Sequence, residues 1–183
     1  VNAMYYDPLT EMLVDYHHGV KDASTRLLRM IGDPATRYRE DPVRIVRAVR
    51  FAAKLGFEIE PKTRAPIGEM AELLANQPPS RLFDEMIKLL QTGHSLRSID
   101  ELRKQGLIGK RQGVFPILDV VLSGPRREER DRFVQLAFAD TDRRVGEDKP
   151  VAPSFLLACM LWHDVLDGWH KLKGQGEAPF PAL

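Results

Sequence analysis

A chain of 183 residues with 43% hydrophobic and 29% charged side chains is long enough to bury a core, as one domain or two small ones. A net charge of +1 excludes a chain-wide cationic nucleic-acid surface, so any basic patch is local; the lone Cys159 excludes an internal disulfide and fits a reducing cytoplasm. No apolar run approaches the roughly 20 residues of a membrane span, and no signal peptide is visible.

The first residues, Val1-Asn2-Ala3-Met4-Tyr5-Tyr6-Asp7-Pro8, carry neither an initiator methionine nor a leader, as expected of a fragment. Short apolar or aromatic runs at 4–6, 12–16 and 27–31 are broken by Asp7-Pro8, His18-Gly19 and Gly32-Asp33-Pro34. That punctuation predicts short strands and turns, with a helical turn or two within 21–28. The pieces are too few for an independent sheet and are expected to complete one whose other strands lie elsewhere.

Everything after Pro34 reads as helix. The most informative run is 38–51, Tyr-Arg-Glu-Asp-Pro-Val-Arg-Ile-Val-Arg-Ala-Val-Arg-Phe. Pro42 suits a first helical turn, with Asp41 before it as the expected N-cap. At about 100° per residue, Ile45, Val46, Val49, Ala52 and Ala53 share one face for a core. Arg44, Arg47 and Arg50 cross the opposite side among Val43, Ala48, Phe51 and Leu55, and the helix ends near Gly56. Guanidinium groups set into an apolar surface need anions. Only Glu40 and Asp41 lie close in sequence, while Arg37 and Arg39 add positive charge. Arginine suits planar, two-pronged contact with a phosphate or a base edge. One reading is a site for a phosphorylated ligand, with Asp41 and Arg44 one turn apart and facing the same way. The other is a packed helix whose arginines pair with carboxylates from elsewhere, and the residues alone leave both open.

Further helices are expected over 64–75, with Thr63 as a candidate cap, and over 81–91, capped by Ser80 and stopped by Gly93. The latter carries Leu82, Phe83, Met86, Leu89 and Leu90 on one stripe. A helix over 95–105 turns Ile99 and Leu102 inward and ends at Gly106. Short loops predict antiparallel or steeply crossed neighbours. The pattern loosens over 110–113 and resumes at 115–122, 125–139 and 152–169, before a Gly- and Pro-rich tail over 174–183 expected to be marginally ordered.

Smaller signals weigh toward structure. His163-Asp164 lacks the companion histidines of a metal site and reads as a partly buried pair near Trp162. Asp140 and Asp142 lack the rigid strand and phosphate loop of a two-metal site and read as capping or solvated. The mixed-charge run 126–133 reads as a solvated face with internal ion pairs, an RNA-contacting surface being the alternative. Trp162 and Trp169 read as core, and Cys159 as an inert core thiol. No glycine-rich phosphate loop, Ser-His-Asp set or Cys-His set is present.

Four stretches fall in a telling order: Val1-Asn2-Ala3; Gly19-Val20-Lys21-Asp22 followed by Leu28-Arg29; Glu40-Asp41-Pro42-Val43-Arg44-Ile45-Val46-Arg47-Ala48-Val49-Arg50-Phe51; and Arg81-Leu82-Phe83-Asp84-Glu85-Met86-Ile87-Lys88-Leu89-Leu90. They resemble motifs of the bacterial poly(A) polymerases, in the family that also holds the class II tRNA CCA-adding nucleotidyltransferases. These motifs are the end of Arg-Arg-Asp-Phe-Thr-x-Asn-Ala, then Gly-x-x-Asp-Leu…Leu-Arg (Ala23 replacing its leucine), then Glu-Asp-x-x-Arg-x-x-Arg-Ala-x-Arg-Phe, and the block that follows. The resemblance is strong over 1–107 and weak beyond.

The resemblance implies a mainly α fold: a helical neck and body array with a small β remnant of the nucleotidyltransferase head at the N-terminus. It divides the chain into a head remnant (1–33), a neck that recognises nucleotide and binds RNA (34–107), and a partial helical body with a loose tail (108–183). It implies a fragment of a cytoplasmic, template-independent poly(A) polymerase that adds AMP from ATP to RNA 3′ ends in mRNA processing. Asp41 and Arg44 would read the Watson–Crick edge of the incoming nucleotide, Arg47 and Arg50 would reach toward its triphosphate, and Asn2 would lie near the sugar or phosphates. The helical stretch after Gly56 would guide the RNA, with RNA-decay or helicase proteins as further candidate partners and no membrane. The family's Mg2+-holding Asp-x-Asp pair and the Arg-Arg-Asp of the first motif are not in this chain, which is expected to be inactive alone. A CCA-adding enzyme is the nearest alternative, although Arg37-Tyr38-Arg39-Glu40-Asp41-Pro42 stands closer to the poly(A) side. A non-catalytic helical RNA-binding module is the other.

Overall fold

The N-terminal segment is built by carboxylates that organise turns. In the computed structural model, which describes residues 3–109, 113–123 and 127–175, β1 (Met4–Asp7) and β2 (Met12–Asp15) form an antiparallel hairpin. The Asp7 carboxylate accepts from the Leu9 N–H (2.9 Å) and the Thr10 hydroxyl (2.7 Å) and so closes the turn. Asp15 accepts from the N–H groups of Gly19 (2.8 Å) and Val20 (2.9 Å), steering the chain into α1 (Gly19–Ser24). Tyr5, Tyr6, Leu9, Met12, Leu13 and Tyr16 of this hairpin are exposed.

The third expected strand shortens to β3 (Leu27–Leu28), which pairs in parallel with β4 (Glu58–Ile59). It stops there because Arg29 turns into a polar knot. Arg29 pairs with Asp22 (2.8 Å) and Glu60 (3.4 Å), and Glu60 accepts from the N–H (2.7 Å) and hydroxyl (2.9 Å) of Thr63. Thr63 in turn accepts from the Met30 N–H (3.0 Å) and, through its carbonyl, from the hydroxyl of the fully buried Tyr38 (3.1 Å). Burial pushes the Tyr38 phenol up to about 12. Burial also pushes the Glu60 carboxyl up, but the Thr63 bonds and Arg29 together leave it below its usual value.

This knot corrects the expected 64–75 helix. Glu60, not Thr63, is the N-cap, and Thr63 lies inside the short α4 (Pro61–Arg64). Pro66, with no N–H to donate, separates α4 from α5 (Ile67–Met70), which runs into a 3-10 turn at Ala71–Asn76.

Between these pieces, α2 (Pro34–Glu40), capped by Asp33, leads to α3 (Val43–Leu55), which is the axis of the core. Val43, Ile45, Val46 and Val49 are fully buried, with Ala48, Ala52 and Ala53 nearly so. Gly56 ends α3 in the left-handed region (φ 66°), where a side chain would also meet the Arg97 guanidinium at 2.8 Å. Asp41 is not the expected side-chain cap: it lies in extended backbone, and its carboxylate turns to arginines instead.

α6 (Pro79–Leu90) and α7 (Ser95–Lys104) pack on α3. Pro79, rather than Ser80, opens α6; Met86, Leu89 and Leu90 are buried, whereas Phe83 of the expected stripe is exposed. α7 is as expected, with Ile99 and Leu102 inward. Its N-terminus is capped from α9 (Arg127–Gly146), where Asp142 accepts from the N–H groups of Ser95 (2.7 Å) and Leu96 (3.3 Å). α9 runs past the expected end at 139, so the capping role of Asp142 is exerted across helices. α8 (Pro116–Ser123) and α10 (Pro153–Gly174) complete the array.

Two expectations fail in this C-terminal part. Trp162 is exposed, because Leu156, Cys159, Met160 and His163 take the inward face of α10. Arg130, from the run read as solvated, is buried against Asp164 (2.9 Å) and Asp167 (3.3 Å). Residues 110–112 of the loosened stretch and 176–183 of the tail lie outside the described residues. Among the described residues, no helix is long and apolar enough to cross a membrane.

Asp142→Ala removes two hydrogen bonds and a negative charge from the α7 N-terminus, so a loss of about 1–2 kcal/mol is expected in urea denaturation. A second prediction concerns pH. The Arg29 guanidinium holds the Asp22 carboxyl below its usual value, so the unfolded chain binds that proton more tightly. The resulting stability is present above the unfolded value of about 3.9 and is lost as pH falls through the lowered folded value. On acidification from neutral to about pH 3, the urea midpoint of Asp22→Asn should therefore fall less than that of the unaltered chain.

Candidate functional site

The arginines of α3 fall at every third position and wind along the side that faces α6. There they form one continuous series of ion pairs. Glu40 pairs with Arg37 (2.6 Å) and Arg44 (3.2 Å). Asp41 Oδ2 accepts from Arg81 Nη2 (2.9 Å) and is flanked by Arg47 (3.7 Å) and Arg44 (3.9 Å). The buried Glu85 meets Arg47 (3.3 Å), Arg50 (3.4 Å) and Lys88 (3.6 Å). Six cationic side chains thus share three carboxylates. The surface keeps a net positive charge although each cation has a partner.

The structure brings Asp41, Arg44 and Arg47 together. Arg50 sits at the far end of the row, mostly buried, with its guanidinium against Glu85 and 4.6 Å over the Phe51 ring. Asn2 lies outside the described residues. Asp41 Oδ1 is buried and has no hydrogen-bond partner among the described residues. An unmade bond at a buried acceptor costs roughly 1–3 kcal/mol, which a donor that reaches it recovers.

Sequence spacing did not single out Glu85 or Arg81, which come from α6. Glu85 lies 38 positions from Arg47. The signal for it was a carboxylate beside Met86 and Leu89 on an otherwise apolar stripe, a place that acids occupy only with a partner.

No group of three or more His, Cys, Asp or Glu side chains able to hold a metal occurs among the described residues. Asp41 and Glu85 are held by guanidinium groups and do not fit a cation, and the resemblance assigns Mg2+ to an Asp-x-Asp pair that is not in this chain. His163 packs edge-on against Phe133 (5.4 Å), and Asp140 pairs with Arg143 (2.6 Å). Chemically, the arrangement offers an acceptor beside guanidinium donors, and a cationic strip next to them. That suits a ligand with an amino-bearing ring and a polyanionic tail.

Comparisons with known proteins bear on this geometry. A family model described as "Probable RNA and SrmB- binding site of polymerase A" matches residues 56–122. Poly(A) polymerase I of Haemophilus influenzae is 42% identical over 96% of this chain and 38% of its own length. Poly(A) polymerase I of Escherichia coli O6:H1 is 40% identical over 94% of this chain and 36% of its own. A CCA-adding enzyme of Bacillus velezensis is 40% identical over 62% of this chain and 28% of its own. The chain therefore spans little more than a third of the length of the poly(A) polymerases it matches.

Among solved structures, the Bacillus stearothermophilus CCA-adding enzyme in complex with CTP aligns with a TM-score of 0.58 at 25% identity, over 99% of this chain and 54% of its own. A tRNA-processing enzyme with CTP aligns with a TM-score of 0.62 at 23% identity, over 97% of this chain and 48% of its own, and attests the fold alone.

Removing Glu85 tests the ion-pair series. Glu85→Ala leaves Arg47 and Arg50 without their shared anion in a partly solvated place, and should cost about 1–3 kcal/mol in chemical denaturation. Lys88→Ala, on the exposed side, should change stability by less than about 0.5 kcal/mol.

Proposed function

The chain belongs to the family of bacterial poly(A) polymerases and CCA-adding enzymes, and from that premise we propose that it supplies nucleotide recognition and RNA binding in a template-independent poly(A) polymerase. Such an enzyme adds AMP from ATP to RNA 3′ ends. The carrying observation is the excess of six cations over three carboxylates along α2, α3 and α6, with Asp41 between α2 and α3.

Adenine presents an amino donor next to a ring-nitrogen acceptor. A carboxylate accepts from the first and a guanidinium donates to the second, and Asp41 and Arg44 stand beside each other with those roles. A base that offers a carbonyl and a ring N–H meets like against like at both positions, which unpaired polar groups make costly. Arg47 continues the row toward the excess positive charge, where a triphosphate is favoured, with Arg50 behind it and Asn2 assigned to the sugar or phosphates. Protein groups then select the nucleotide without a template strand.

The division into a head remnant (1–33), a neck (34–107) and a partial body (108–183) belongs to the same reading. The segment matched as a probable RNA-binding site, 56–122, spans most of the neck and the start of the body, and there the RNA 3′ end is guided. The family's description also names SrmB, which makes a partner of that kind a candidate. Poly(A) addition is favoured over CCA addition by coverage: the poly(A) polymerases match 94–96% of the chain, the CCA-adding enzyme 62%.

In the complete polypeptide, Arg44→Ala should lower kcat/KM for ATP by about 10- to 100-fold and narrow the gap between ATP and GTP, as loss of a charge-assisted hydrogen bond requires. Arg47→Ala should weaken use of all four triphosphates alike. Primer-extension kinetics with each nucleotide check both, and an equal loss across nucleotides in Arg44→Ala removes the base-reading role. CTP incorporation into tRNA lacking its CCA end would favour the CCA-adding alternative.

A further inference from the structure

The Asp41 carboxylate is fixed by one hydrogen bond, and the donor lies 40 positions on, in α6. Oδ2 accepts from Arg81 Nη2 at 2.9 Å, whereas Arg44 and Arg47 approach it only to 3.9 and 3.7 Å, beyond hydrogen-bond reach. Arg81 is itself clamped, because its other terminal nitrogen, Nη1, donates to Gln77 Oε1 at 3.3 Å. It stands in the first turn of α6, just after Pro78 and Pro79, whose rings fix the backbone that carries it. The Gln77–Arg81–Asp41 relay thus reaches α3 from a rigid helix start inside the segment matched as a probable RNA-binding site.

We propose that Arg81 is a positioning residue for base selection: it fixes the rotation of the Asp41 carboxylate, so that a nucleotide offering a carbonyl where adenine offers an amino group is rejected. This rests on the assignment of Asp41 to base reading. An aspartate turns readily about its last torsion, since that well is broad and two-fold. A carboxylate free to turn can swing away from an approaching carbonyl and relieve the repulsion. One gripped at Oδ2 must first break that bond, so the wrong base meets a negative charge that resists turning away. Specificity then comes from an imposed clash as well as from a favourable contact. Arg81 need not touch the nucleotide to do this. Arginine suits the role because its planar fork holds two partners in fixed directions, whereas the three donors of a lysine rotate.

The test is primer extension by the complete polypeptide with ATP and GTP, comparing Arg81→Gln, Arg81→Lys, Asp41→Ala and the Arg81→Gln/Asp41→Ala double variant. In Arg81→Gln the ratio of kcat/KM for ATP to that for GTP should fall about tenfold, mainly through a lower KM for GTP. Arg81→Lys should keep an intermediate ratio, and it keeps the test decisive if the glutamine variant folds poorly. The double variant should discriminate no worse than Asp41→Ala, because Arg81 acts through Asp41. Equal loss with both nucleotides in Arg81→Gln, or additive effects in the double variant, overturns the proposal while leaving base reading intact. Unchanged preference in Asp41→Ala overturns the base-reading assignment and this proposal with it.

Discussion

Glu85 makes the burial of α3 feasible. A helix with Val43, Ile45, Val46 and Val49 fully buried has little room for guanidinium groups on its remaining side. Burying an unpaired charge costs far more than any one of those valines returns. Glu85 meets Arg47 and Arg50 from α6, while Met86, Leu89 and Leu90 of that helix fill the core. One register serves both: the rotation of α6 that sets Glu85 against Arg47 and Arg50 also packs its apolar stripe. That same register carries Arg81, one helical turn earlier, to Asp41.

The N-terminal segment depends on a different kind of contact. Asp22, Arg29, Glu60, Thr63 and Tyr38 form a polar knot whose members come from α1, the end of β3, α4 and α2. Each buried donor or acceptor in it that the bonds above describe has a partner, the condition under which a buried network stiffens a fold instead of weakening it. With β3 reduced to two residues against β4, backbone pairing alone gives little adhesion. The knot ties this segment to the helices alongside Leu28, which is buried in the core, and Met30, which packs against it.

Helical periodicity conveyed much of this fold, and its failures share a cause. The inward face of α3, the inward Ile99 and Leu102 of α7, and the ends at Gly56 and Gly106 follow from local pattern and were legible. Asp142, Glu85 and Arg130 were not, because each is explained by a partner far along the chain: Asp142 caps a helix 47 positions away from it, and Arg130 meets Asp164 34 positions on. The hydroxyl caps expected at Thr63 and Ser80 were misplaced, since Pro61 and Pro79 open those helices. At the candidate site, the row Arg44, Arg47 and Arg50 and the nearness of Asp41 could be read directly. The α6 residues that hold them could not, because a charge on an apolar stripe reveals its purpose only beside its partner.

The distances in the series separate groups that are held from groups that are available. Charge-assisted contacts are strongest near 2.7–2.9 Å. Arg81 to Asp41 at 2.9 Å falls in that range, but Arg47, shared between Asp41 at 3.7 Å and Glu85 at 3.3 Å, has no contact of that quality. A guanidinium divided between two long contacts loses little by turning to a new anion, whereas one committed to a short contact loses much. The fixed pair therefore suits selection, which needs an unyielding shape, and the loosely shared arginine suits binding a polyanion, which needs a donor free to follow it. The two arginines, Arg81 on α6 and Arg47 on α3, are alike as side chains and differ in how closely their partners hold them.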